Sequence, residues 1–149
     1  MQVAIERSSG SPGNALDALI AESEWHGLRF VRRLAEEWAS GANRFDRPGE
    51  VLLFARTAER VVVGVCGLNR DPYAGTGDVG RVRHLYVLAG CRGGGIGRQL
   101  VERVIDAARG RFDRLHLRTR NPAAARLYER LGFRPRSDVE HCTHVMEMR

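Results

Sequence analysis

The chain has 149 residues, of which 43% are hydrophobic and 28% are charged, and its formal net charge is +6. These values are ordinary for one globular domain, and no apolar run reaches the ~18 residues that a transmembrane helix needs. All 24 basic residues are arginine, which excludes Schiff-base chemistry on a lysine and the phosphate-binding lysine of a P-loop.

The predicted elements of the first half are one strand, two helices and three further strands. The first helix is expected to be capped by Asn14, and the second is expected to end at Gly41. Leu28 belongs to the apolar stripe that predicts the second helix. The expected elements are a strand at 1–8, helices around 16–20 and 28–38, and strands at 51–56, 61–68 and 79–88.

The second half predicts two more helices and three short strands. An amphipathic helix is expected at 96–108, a strand at 115–117, a helix that opens at Asn121-Pro122 and closes at Gly132, and two strands within 133–149. The element order β-α-α-β-β-β-α-β-α-β-β predicts an α/β fold, with helices packed on one sheet, in a single domain over residues 1–149.

Cysteine usage and charge distribution restrict the environment and the partners. Cys66, Cys91 and Cys142 are scattered and odd in number, so neither a disulfide framework nor a metal site is expected. A reducing cytoplasm fits best, and no signal peptide is expected. The arginines are dispersed rather than interleaved with aromatic residues, so we expect no nucleic-acid partner. The absence of a long apolar run predicts no membrane partner.

The segment between the fourth strand and the third helix is rich in glycine. Glycines there allow backbone N–H groups to turn toward a ligand, and the helix N-terminus adds partial positive charge, so the segment predicts a phosphate or pyrophosphate site. A P-loop is excluded by the missing lysine, and a dinucleotide fingerprint fails because its third glycine position holds Arg98 or Leu100. The pattern that fits is R-x-x-G-x-G, from Arg92 through Gly95 to Gly97.

Two segments resemble motifs of the GNAT family of N-acetyltransferases. The run Arg92-Gly93-Gly94-Gly95-Ile96-Gly97 is similar to the acyl-CoA-binding motif of that family. The segment from Asn121 to Phe133 is similar to its N-x-x-A-x-x-L-Y-x-x-x-G-F signature. The resemblance implies a mixed, mostly antiparallel sheet with helices on both faces, and it implies acetyl-CoA as the cofactor.

The same resemblance assigns residues to the cofactor. Pantetheine is expected in a gap between the fourth and fifth strands, where it would pair with the main chain. Tyr128 is expected near the sulfur, as the acid that protonates the leaving thiolate, although a core aromatic is the alternative interpretation of this residue. The other cofactor-binding residues expected are Leu85, Tyr86, Val87, Arg92, Gly93, Gly94, Gly95, Ile96, Gly97, Arg98 and Asn121.

The general base is less determined, because the strand glutamate common in the family is missing from residues 79–84. His84 is our candidate base, with Glu24 and His26 as weaker alternatives. Trp25, Arg29 and Phe30 are candidates to line the acceptor site. Acidic residues of the first two helices are further candidates, to attract a cationic amine, although a solvated helix face is the alternative interpretation; they are Glu22, Glu24, Glu36 and Glu37.

The resulting hypothesis is an acetyl-CoA-dependent N-acetyltransferase that moves an acetyl group to a primary amine of a small molecule or peptide by direct transfer. A non-catalytic acyl-CoA-binding regulatory module is the alternative. The resemblance also allows a homodimer. Cys91 lies beside the loop, but direct transfer needs no cysteine nucleophile.

Overall fold

The fold is built on one seven-stranded sheet, described for residues 1–148 in a computed structural model. The strands are β1 (Ala4–Arg7), β2 (Val51–Arg56), β3 (Val62–Arg70), β4 (Val79–Val87), β5 (Arg114–Leu117), β6 (Arg134–Pro135) and β7 (His144–Glu147). Their order in the sheet is β1-β2-β3-β4-β5-β7-β6. Neighbouring strands are antiparallel, except that β4 and β5 run parallel.

Helices cover both faces of the sheet. They are α1 (Asp17–Trp25), α2 (Phe30–Ser40), α3 (Ile96–Ala108) and α4 (Pro122–Arg130). The apolar stripe of α3 packs into a cluster with the inward residues of β2 to β5, and Tyr128 of α4 joins that cluster. The first two helices bury Leu19 and Leu34 in a second cluster, which includes Val65 of β3 and Tyr86 of β4. The predicted fold class and element order are confirmed.

Two local predictions are wrong, and backbone hydrogen bonds explain both. Before α1, the Asn14 carbonyl accepts a hydrogen bond from the Asp17 amide at 3.1 Å, so Asn14 is part of a turn. The N-cap of α1 is Leu16 and carries no side-chain cap bond, so Asn14 does not cap this helix. Leu28 precedes α2 and is 41% exposed. Gly27 adopts a left-handed φ of +78°, and the Leu28 amide donates to the carbonyl of Ser23, so this apolar residue is part of the turn between the helices.

The position of β4 sets the geometry of the site. It pairs with β5 only from Val79 to Arg81, whereas its pairing with β3 continues to Val87. The register of β4 against β3 shifts between Arg83 and Tyr86, and His84 has a φ of +63°, which marks a β-bulge. Beyond Arg81 the two parallel strands therefore separate, and one edge of β4 has no pairing with β5.

No helix within residues 1–148 is long and apolar enough to cross a membrane.

Candidate active site

An open loop of glycines follows β4 and leads into α3. A Cβ added at Gly90, Gly93, Gly94 or Gly95 would meet no heavy atom within 4 Å, so the backbone here faces open space. Gly95 is the N-cap of α3 with a φ of +85°, and no side chain caps the helix. The first-turn amides are therefore left without a side-chain acceptor, and they add their partial positive charge to the loop. This arrangement fits a pyrophosphate bound by backbone N–H groups.

The two predicted loop arginines have different surroundings. The Arg92 side chain turns back toward β4, where its Nε donates to the Val87 carbonyl at 2.8 Å and its guanidinium lies 5.2 Å from the Tyr86 ring. The Arg92 backbone N–H donates to the Ala89 carbonyl at 3.3 Å. Arg98 is on the exposed surface of α3 and pairs with Glu102. Arg92 thus braces the start of the loop, while Arg98 borders it.

A carboxylate of α1 accepts hydrogen bonds from the end of β4 and the start of the glycine loop. Glu22 Oε1 accepts hydrogen bonds from the Tyr86 hydroxyl at 2.7 Å and from the Ala89 N–H at 2.8 Å. These two bonds, together with the nearby Arg92 guanidinium, lower the pKa of Glu22. Burial and the Glu22 carboxylate raise the pKa of Tyr86 to about 12. Glu22 therefore links the first helix to the end of β4, and its charge is already engaged within the protein.

Tyr128 lies in α4, and Asn121 immediately precedes this helix. Tyr128 is 6% exposed and packs edge-to-face on Phe133, with ring centroids 5.6 Å apart. Burial raises the pKa of Tyr128 well above its usual value of 10, and the neighbouring Cys66 acts in the same direction. Asn121 is the N-cap of α4: its Oδ1 accepts from the Ala123 and Ala124 amides at 2.9 and 3.2 Å. The capping role of Asn121 is signalled by the Asn-Pro pair at a helix start.

His84 lies at the bulge of β4, on the face that carries α1 and α2. Its ring stacks on Phe30 at a centroid distance of 6.4 Å and meets Phe45 edge-on at 6.1 Å. Burial lowers the pKa of His84 to about 3; the charges of Arg83 and Arg33 add to this shift, and the Phe30 backbone opposes it. His84 is therefore neutral at pH 7, with an imidazole that takes up a proton poorly.

The other acceptor-site candidates are distributed around α1 and α2. Phe30 is brought against His84, as described, and its ring also meets Tyr86 edge-on at 5.9 Å. Arg29 is the N-cap residue of α2. Trp25, the last residue of α1, is 87% exposed. Glu24 is engaged by Arg32 through two hydrogen bonds.

A buried polar group on the same face was missed by sequence reasoning. Asp71 Oδ2 lies 2.8 Å from Nδ1 of His116 and 3.6 Å from Nη1 of Arg81. Arg81 Nη2 also donates to the His141 carbonyl at 2.6 Å. The register places Asn69 opposite Arg81 and Arg81 opposite His116 on neighbouring strands. Polar residues at alternate positions of otherwise apolar strands were the available signal.

Comparisons with known proteins give a consistent result. The model of the acetyltransferase (GNAT) family matches residues 17–133. A solved structure from Exiguobacterium sp. 255-15 is 31% identical, has a TM-score of 0.87, and is matched over 99% of this chain and 94% of that chain. No curated protein matches the sequence.

Two further solved structures resemble this chain in fold. A GNAT-family acetyltransferase from Staphylococcus aureus Mu50 is 17% identical with a TM-score of 0.79, over 99% of this chain and 100% of that chain. A GNAT-family N-acetyltransferase from Escherichia coli, solved in complex with CoA, is 21% identical with a TM-score of 0.71, over 100% of this chain and 83% of that chain.

Proposed function

Because the chain belongs to the acetyltransferase (GNAT) family, we propose that it transfers an acetyl group from acetyl-CoA to a primary amine within a ternary complex. The observation that carries this proposal is the open glycine loop at the uncapped N-terminus of α3, beside the edge of β4 that does not pair with β5. The similar fold of the Escherichia coli structure in complex with CoA supports it.

The chain offers a separate set of groups for each part of the cofactor. The amides of the loop and of the first turn of α3 would bind the pyrophosphate. The unpaired edge of β4, at Leu85, Tyr86 and Val87, would hydrogen-bond the pantetheine arm as a neighbouring strand does. Acetyl-CoA, when bound, supplies an activated thioester. In the transfer, the amine nitrogen forms a bond to the carbonyl carbon, the C–S bond breaks, and one proton passes from the nitrogen to the departing sulfur.

The first chemical problem is the protonation state of the amine. An alkylammonium with a pKa of about 10.4 is only ~0.04% neutral at pH 7, which is equivalent to ~4–5 kcal/mol. The surroundings that lower the pKa of His84, namely burial and two arginines, lower the pKa of an amine bound there for the same reasons. His84 then accepts a hydrogen bond from the neutral amine and orients it, which makes it an orienting group rather than a strong base.

The second problem is the charge that develops during transfer. A backbone N–H of β4 directed at the thioester oxygen would stabilise the oxyanion by about 3 kcal/mol. Tyr128 Oη keeps its proton at every working pH, because its pKa is far above 10. A thiol has a pKa of about 8.5, so Tyr128 stabilises the departing thiolate by donating a hydrogen bond, and complete proton transfer from this phenol is uphill.

The pyrophosphate site formed by the glycine loop and the first turn of α3 is tested by a pair of glycine variants. Both Gly94 and Gly77 leave open space around an added Cβ and lack a positive φ, so alanine should change the stability of neither position appreciably. Gly94→Ala places a methyl group where the pyrophosphate would approach, and we expect its CoA affinity in calorimetry to fall by about tenfold or more. Gly77→Ala should bind CoA as the wild type does. Equal CoA affinities of the two variants would contradict pyrophosphate binding by the glycine loop.

Turnover is tested by thiol release from acetyl-CoA over a panel of primary amines. An N-acetyltransferase should release the thiol in proportion to acetylated amine detected by mass spectrometry. Tight CoA binding without turnover on any amine would instead support the regulatory module.

A further inference from the structure

Four buried polar side chains on one face of the sheet have atoms without a hydrogen-bond partner in the described part of the chain. Each side chain belongs to a residue that is at most 9% exposed. Buried polar atoms in folded proteins nearly always have a partner, so these atoms need one from water or from a bound polar ligand. The atoms are Asn69 Oδ1, Arg81 Nη1, Nδ1 and Nε2 of His84, and His116 Nε2. Arg81 Nη1 nevertheless lies 3.6 Å from Asp71 Oδ2, and the Phe30 backbone interacts with His84.

The topology places these atoms together. Asn69, Arg81 and His116 are direct neighbours across β3, β4 and β5. A Cβ at Gly67 would contact the Phe45 ring, and Phe45 also contacts His84. Because residues two apart on a strand share a face, Asn69 lies on the face that His84 occupies. These polar side chains thus lie on the same face of the sheet, the face that carries α1 and α2.

The charge around this surface is positive. Arg83 and Arg33 both act on His84, and within residues 1–148 neither guanidinium takes part in an ion pair. The nearby carboxylates already have partners. Glu22 accepts hydrogen bonds from Tyr86 and Ala89, and Glu24 pairs with Arg32. Asp71 contacts His116 and Arg81. A polycationic acceptor would therefore be repelled here, whereas an anionic group would find two free guanidinium groups.

We propose that the acceptor is an amine that also carries a carboxylate or a phosphate, with Arg33 and Arg83 binding the anion while the amino group faces His84. This inference rests on the proposed acetyl transfer and names the substrate class of the same site. Guanidinium groups bind carboxylate and phosphate through paired, charge-assisted hydrogen bonds. The sequence predicts that Glu22, Glu24, Glu36 and Glu37 attract a cationic amine; in this proposal two arginines instead bind an anionic group of the acceptor.

The first experiment compares matched acceptors that differ only in the anion. β-Alanine is paired with β-alaninamide, and O-phosphoethanolamine with ethanolamine, and kcat/KM is measured from thiol release at saturating acetyl-CoA. We expect the anion-bearing member of at least one pair to be preferred by about tenfold or more. The pair with the larger ratio distinguishes carboxylate from phosphate. Equal use of both members in each pair, or preference for the neutral member or for spermidine, would overturn the inference.

The second experiment assigns the preference to the two arginines. Arg83→Gln and Arg33→Gln should each raise the KM of the preferred anionic amine by about tenfold more than the KM of its neutral counterpart, which loses only the effect of the arginine on the pKa of the amine. Arg83→Lys should recover part of the preference because it keeps the charge. Arg103→Gln, an equal charge change on the exposed side of α3, is the control. An equal loss for both members of the pair in the Arg83 and Arg33 variants would contradict the assignment.

The two proposals fail in different ways. If calorimetry finds no CoA binding by the wild type, acetyl transfer itself is refuted. If CoA binds but no amine in the panel is acetylated, the affinities of the matched amines are measured on the CoA-saturated protein. Failure of both anionic amines to bind there would overturn the inference on the acceptor and leave cofactor binding intact.

Discussion

Removal of the Glu22 carboxylate should make the glycine loop after β4 less ordered and should also lower the stability of the fold. One oxygen of Glu22 accepts hydrogen bonds from Tyr86 and Ala89, and the Arg92 guanidinium lies 4.0 Å away. It is thus the link between α1, the end of β4 and the start of the glycine loop. Glu22→Ala removes this link, and Glu36→Ala makes the same charge change on the exposed surface of α2.

The magnitude follows from the two short bonds. A hydrogen bond to a charged group contributes about 1.5–3 kcal/mol when water cannot replace it. Because the Glu22 side chain is 28% exposed, water compensates part of the loss, and the ion pair with half-exposed Arg92 adds less than about 1 kcal/mol. We expect Glu22→Ala to lower the free energy of unfolding by about 2–3 kcal/mol, and Glu22→Gln, which keeps an acceptor, by about 1 kcal/mol.

The assay is urea unfolding of the three variants, followed by calorimetry with CoA. In Glu22→Ala the glycine loop is no longer held in place before CoA binds. Because binding must then also order the loop, the CoA affinity of this variant should fall by about tenfold, whereas that of Glu36→Ala should match the wild type. Unfolding free energies of Glu22→Ala and Glu36→Ala within about 0.5 kcal/mol of each other would refute the link. Lower stability with unchanged CoA affinity would show that Glu22 holds the fold but does not position the loop.

The pKa of Glu22 gives this prediction a pH signature. Hydrogen bonds from Tyr86 and the Ala89 amide lower the pKa of Glu22 in the folded state from 4.5. The stabilisation is therefore fully present above pH 4.5 and is lost as the pH falls through the lower folded value. The difference between wild type and Glu22→Ala should shrink in acid.

Three further predictions concern other parts of the structure. The pKa of His84 is lowered from 6.5 to about 3, so protons bind the unfolded chain more readily, and the free energy of unfolding of the wild type should fall by about 1 kcal/mol per pH unit below pH 6. Urea titrations of His84→Gln should show a smaller dependence on pH, and an unchanged dependence would contradict the role given to His84. Tyr128→Phe should lower kcat by about tenfold to a hundredfold at unchanged CoA affinity, and wild-type turnover in this variant would reduce Tyr128 to a core residue. A Cβ at Gly67 would lie 2.6 Å from Phe45 Cε1, so Gly67→Ala should cost about 2–3 kcal/mol of stability in urea unfolding, against no more than about 0.5 kcal/mol for Gly77→Ala.

The elements could be predicted from the sequence because local signals agree with the tertiary packing. The apolar stripe of α3 and the Asn-Pro start of α4 specify those helices before any contact is known. The alternation of β2 and β3 is less clear, since both strands are buried on both faces. Here the polar turn between them, rather than periodicity, predicts the hairpin.

The acceptor side could not be predicted in the same way, because it is formed by contacts between distant residues. Glu22 meets Tyr86 across 64 positions and Asp71 meets His116 across 45. No local pattern records such a pair, and acidic residues on a helix ordinarily indicate a solvated face. The bulge could not be predicted either, because nothing in the sequence around His84 indicates that this residue adopts a positive φ. The open glycine loop is a local feature and could be predicted from the sequence, whereas the contacts between α1, β4 and β5 could not.

The separation of β4 from β5 and the bulge at His84 act together. Beyond Arg81 the edge of β4 no longer pairs with β5, and within three residues the bulge places an additional side chain on the face of α1 and α2. Without that additional residue, the alternation of β4 would turn His84 toward the face of α3. In the proposed reaction, one strand thereby provides a backbone edge for the cofactor and a side chain for the acceptor. The strain of a left-handed histidine, about 1–3 kcal/mol, is thus located just beyond the last pairing of β4 with β5, beside the site proposed for the acceptor.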